Sequence, residues 1–83
     1  MYLLNENGEK MLSIVFLNGN SYYQIEKDRV QVQETLYHQS NRDGMEEWVD
    51  LDVISTETGE ILMQFHGNKL HYFSNSSGCM IEF

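Results

Sequence analysis

Eighty-three residues make one domain, with no room for a second core. Thirteen acids against five bases leave a formal net charge of −8, so the surface repels phosphate and argues against binding nucleic acid or an anionic membrane directly. A hydrophobic share of 41%, with 12% aromatic residues, is enough for a folded core and speaks against disorder.

The lone Cys79 cannot form an internal disulfide, which fits a reducing compartment. The opening M-Y-L-L-N-E-N-G-E-K has neither the basic region nor the apolar run of a secretory signal, and no segment reaches the length of a membrane span. These features together predict a cytoplasmic protein.

Met1–Leu4 reads as an edge strand and Asn5–Gly8 as a turn. Lys10–Leu17 is apolar almost throughout, as in a central strand covered on both faces. Asn18-Gly19 is a strong two-residue hairpin signal. It sets Phe16 against Ser21, Val15 against Tyr22, Ile14 against Tyr23 and Leu12 against Ile25, with the two tyrosines on opposite faces. Glu26–Arg29 is a charged turn, and Val30, Val32 and Leu36 then alternate with polar residues as in a half-exposed strand. Ser40–Gly44 has loop composition.

Glu46–Phe73 is the best-patterned stretch. A period of two puts Val49, Leu51 and Val53 on one face and Glu46, Trp48, Asp50 and Asp52 on the other. A short helix near 44–53 competes, because Met45, Trp48, Val49 and Val53 also fit helical spacing and Asp43 could cap it. Leu51 would leave that stripe and Asp52 would enter it, so the alternation favours a strand. Thr56–Gly59 supplies a bulged turn and Gly67-Asn68 a two-residue loop. That loop sets Phe65 against Leu70 and Met63 against Tyr72, and leaves Gln64, His66, Lys69, His71, Leu62 and Phe73 on the other face.

Ser74–Gly78 is a loop, and its Asn75-Ser76-Ser77 glycosylation match reads as coincidence. Cys79–Phe83 is a last strand. The expected fold is therefore all-β: an antiparallel meander of six to eight short strands closed as a barrel or sandwich. Its core should include Ile14, Phe16, Val49, Leu51, Val53, Met63, Phe65, Leu70, Tyr72 and Ile81. A faint repeat relates Glu6–Asn20 to Glu57–Asn68, each running from an acidic glycine turn through an apolar strand to a second glycine turn.

No motif carries chemistry. Asp50 and Asp52 project together about 6.6 Å apart along the strand, but a metal or acid–base site wants groups converging from several elements. His66 and His71 are diagonal neighbours roughly 7–8 Å apart, yet Lys69 beside them opposes a cation and no zinc spacing supports them. Cys79, alternating with Ile81 and Phe83, reads as a small buried residue. The six glycines stand singly in turns, with no phosphate loop. Neither an enzyme nor a cofactor or metal is expected.

Between Asp43 and Glu60 stand seven acids and no lysine or arginine. Trp48 sits among them, and tryptophan anchors interfaces while surrounding charge steers partners of opposite sign. The sequence thus points to a protein-binding module whose contact residues are Glu46, Glu47, Trp48, Asp50, Asp52 and Glu57. Its partner would be basic, in the sharpest form a nucleic-acid-handling enzyme whose groove receives carboxylates in place of phosphates, as viral inhibitors do. The alternative is an assembly domain that forms homo-oligomers through an edge strand such as Cys79–Phe83.

Overall fold

The computed structural model describes residues 1–74 and 76–83, and all its elements are strands: β1 (Tyr2–Leu4), β2 (Lys10–Leu17), β3 (Asn20–Ile25), β4 (Val30–Asn41), β5 (Gly44–Ser55), β6 (Ile61–His66), β7 (Lys69–Phe73) and β8 (Met80–Glu82). The Asn75 glycosylation match lies outside the described residues. The strands form two antiparallel four-stranded sheets, ordered β3-β2-β1-β8 and β4-β5-β6-β7. Side chains from both sheets share one core, chiefly Leu3, Leu12 and Ile14 from the first and Leu51, Val53, Met63 and Phe65 from the second. Among the described residues the sheets do not close into a barrel, and no helix is long and apolar enough to cross a membrane.

Turn chemistry sets much of this. Asn18 and Gly19 have φ of 53° and 78°, the doubly positive geometry whose twist matches a right-handed hairpin. The pairs Leu12–Ile25 through Phe16–Ser21 follow in the expected register. Residues 44–53 are strand, not helix. Every β5 residue from Gly44 to Ser55 has a β4 partner, and the strand buries Leu51 while turning Asp52 outward.

Several expectations need correction. β1 is an interior strand, because β8 pairs along its second side. β2 is covered on one face only toward its end, with Val15 and Leu17 exposed. A bulge at His71 shifts the β6–β7 register, so Met63 faces Phe73 and Tyr72 faces Gln64. Tyr72 therefore points out and Phe73 packs against the core, while a second bulge by Ile54 turns Leu62 inward. Finally, Leu70, Tyr72 and Phe16 are exposed rather than core. Leu70 and Tyr72 lie on an edge strand, and Phe16 lies at the margin of the core with its ring 5.9 Å from that of Phe65. Val49 and Ile81 are half-buried against the core.

The loop expected at Ser40–Gly44 is instead the end of a long hairpin. Pairing runs unbroken to Asn41–Gly44 and leaves only Arg42 and Asp43 between the strands. The Asn41 side-chain oxygen accepts from Asp43 N at 2.9 Å and holds that turn. Residues 33–47 are exposed throughout, so the outer half of β4–β5 projects from the body as an arm. It stretches the molecule to 48 × 23 × 18 Å and its radius of gyration to 13.8 Å, against about 11.8 Å for a compact chain of this length.

At the root of the arm the tips of two hairpins meet, one from each sheet. Ser21 Oγ donates to the Gly67 carbonyl, and Gly67 N donates to Val49 O at 3.0 Å. These are the two hairpins of the faint repeat.

Candidate functional site

The site is the outer face of the β4–β7 sheet. Alternation along β5 turns Glu46, Trp48, Asp50 and Asp52 to this side. Pairing with β4 sets Gln39, Tyr37, Thr35 and Gln33 beside them, and pairing with β6 sets His66 against Asp50 and Gln64 against Asp52. The bulge in β7 brings His71 up to His66.

Four rings consequently form a row across four strands. Tyr37 stacks on Trp48 at 5.7 Å and 11°, Trp48 meets His66 at 4.9 Å, and His66 meets His71 at 5.2 Å. Trp48 is half-buried because its neighbours cover both sides of the indole. Its Nε1 is enclosed without an acceptor among the described residues. Asp50 Oδ1 lies 3.0 Å from His66 Nδ1, an ion pair when the imidazole is protonated, but off the line of a hydrogen bond. Gln64 Nε2 donates to Asp52 Oδ1 at 3.1 Å and fixes that carboxylate. A cleft of about 340 Å³ opens between the arm and the β6–β7 turn, lined by Glu46, Glu47, Trp48, His66 and Lys69 among others.

Of the six expected contact residues, Glu46, Trp48, Asp50 and Asp52 share this face. Glu47 faces the other way, paired with His38, and reaches only the cleft. Glu57 does not belong to the site: it lies in the turn after β5, where its carboxylate is 3.8 Å from Arg29. Tyr37 was not expected. Its signal is the turn at Arg42-Asp43, which places it directly opposite Trp48. His66 and His71 do come together, His66 against the Trp48 indole and His71 against His66.

The displaced ionisations lie away from this face. Hydrogen bonds from Ser76 and Ser74 hold Glu60 below the usual carboxylate range, and the Lys27 hydrogen bond does the same for Glu9. Burial, followed by the charge of Glu34, pushes the Tyr23 hydroxyl up. Among the described residues no three His, Cys, Asp or Glu side chains are grouped to hold a metal ion. Cys79 is buried, its Sγ 3.3 Å from Ser77 Oγ. What the face offers is flat aromatic area interleaved with carboxylates. No family model, curated protein or solved structure matches the chain.

Proposed function

We propose that the protein is a non-enzymatic binding module that docks the outer face of the β4–β7 sheet onto a basic partner protein. One observation carries this reading: Glu46, Asp50 and Asp52 stand in line on one strand with Trp48 between them, and Tyr37 stacks on the indole. Rigid aromatic area anchors an interface, while carboxylates around it steer cations in and reject anions. In its sharpest form the partner is a nucleic-acid-handling protein, and the row of carboxylates occupies the groove that phosphates would fill.

The test is the paired behaviour of two variants against a basic protein captured from the native host. Reversing Glu46, Asp50 and Asp52 to Lys should slow association, with a defect that shrinks as salt rises. Trp48→Ala should instead speed dissociation and cost about 2 kcal/mol or more of binding. Melting curves of the free variants check that both remain folded. A triple reversal that binds as tightly as the parent at low and high salt alike would sink the proposal.

A further inference from the structure

A sheet edge presents unpaired backbone N–H and C=O groups, and proteins blunt such edges by shortness, charge, proline or bulges. Here β3, β7 and β8 are blunted by length, at six, five and three residues, and β7 also carries a bulge. The edge of β4 is neither short, nor bulged, nor interrupted by proline, and its charge is limited to one residue. It runs twelve residues in unbroken register with β5, contains no proline or lysine, and holds one carboxylate, Glu34. From Gln33 to Asn41 every residue is exposed, including Leu36 at 64% and Tyr37 at 44%.

We infer that β4 pairs antiparallel with β4 of a second copy about a two-fold axis at Tyr37, joining two four-stranded sheets into one. The axis follows from the exposed run, because Tyr37 is the midpoint of Gln33–Asn41. Pairing about it sets Leu36 against His38, Thr35 against Gln39, Glu34 against Ser40 and Gln33 against Asn41 of the second copy. An axis at Leu36 would carry the other copy's turn past Val32 to the body, where Val30 is buried. An axis at His38 would leave part of the run unpaired and oppose two imidazoles.

Charge agrees with this register. Glu34 meets no acid across the pair, and Arg42 of the second copy, in the turn just past its Asn41, comes to the position diagonal to it, roughly 7–8 Å away before the side chains extend. Arg42 has no ion-pair partner among the described residues of its own chain. Two-fold symmetry makes the contact twice. On the outer face the two Tyr37 rings lie side by side, so the row Tyr37–Trp48–His66–His71 continues into its copy. Backbone hydrogen bonds along the edge hold the pair, and the aromatic and charged contacts fix its register. None of this depends on what docks on the outer face.

Sedimentation equilibrium of the free chain tests it, and a concentration-dependent monomer–dimer equilibrium is expected. Glu34→Lys and Arg42→Glu should each raise the dimer dissociation constant roughly 3- to 10-fold. Positions 34 and 42 are eight residues apart along one strand and its turn, about 26 Å, so they cannot compensate within a copy. The combined swap should therefore restore the parental constant. Both positions are exposed, and circular dichroism of the variants checks that they fold. Register is read by cross-linking: Tyr37→Cys, on the axis, should oxidise to a covalent dimer while Leu36→Cys does not, Cys79 staying buried in both. A chain that remains monomeric at every concentration overturns the inference. So does a dimer indifferent to both charge variants, or one that cross-links at Leu36 in preference to Tyr37.

Discussion

Replacing Leu51 by Ala should lower the free energy of unfolding by about 2–5 kcal/mol. Leu51 is 1% exposed, faces Phe65 across the β5–β6 pair, and lies in the core the two sheets share. Deleting its side chain removes buried apolar surface and leaves a cavity that rigid sheets cannot fill. A small domain holds only about 5–15 kcal/mol in total, so the loss is a large part of the whole. Leu36→Ala is the control: at 64% exposure, the same chemical change should move stability by no more than about 0.5 kcal/mol. Urea unfolding of the two variants gives the comparison. A midpoint unchanged by Leu51→Ala would mean that β5 presents its other face to the core.

The second large effect is expected at Gly67, for a different reason. Its φ of 61° lies in the left-handed region, and a Cβ there would stand 2.6 Å from the Gly19 carbonyl oxygen. That neighbour is backbone and cannot swing aside. Gly67→Ala should thus carry both left-handed strain and overpacking, about 2–4 kcal/mol together. Relief would come by parting the two hairpin tips, which strains the Ser21–Gly67 hydrogen bond. Gly19→Ala separates the contributions, since its φ is 78° but nothing lies within 4 Å of the added methyl. It should cost only the strain, about 1–2 kcal/mol. Equal losses in the two variants, measured by thermal unfolding, would show that the tips do not touch in solution.

The parts of the fold legible in the sequence are those with one buried face and a tight turn. Leu12, Ile14 and Tyr23 found their partners because Asn18-Gly19 admits one hairpin geometry. Leu51 and Val53 went inward because Asp50 and Asp52 alternate with them. Bulges break this logic. One extra residue at His71 inverts the facing of Tyr72 and Phe73, and alternation alone does not show where a strand will bulge. The arm was hidden for another reason: His38, Gln39, Ser40 and Asn41 have no buried side, so no apolar period marks them as strand.

The candidate site divides along the same line. Glu46, Trp48, Asp50 and Asp52 were legible from the period of two on β5. Tyr37 disappeared with the arm, and His66 and His71 were legible as diagonal neighbours but not as part of a row with the indole on the next strand. Glu57 followed the acids in sequence but not in space, because the turn after Ser55 carries it to Arg29.

The two sheets also differ in how far apart their strands lie along the chain. The sheet β4-β5-β6-β7 follows chain order, so each of its pairs closes a short loop. The other needs β8 beside β1, with Tyr2 against Glu82 and Leu3 against Ile81. Such distant contacts cost more chain entropy and form late. Assembly should therefore run from the hairpins outward, with the β1–β8 seam closing after the rate-limiting barrier. Weakening that seam, as by Ile81→Ala, should accelerate unfolding in stopped-flow experiments and leave the refolding rate almost untouched. The lifetime of the native state is then governed by its three-residue last strand, while the speed of reaching that state is governed by the turns.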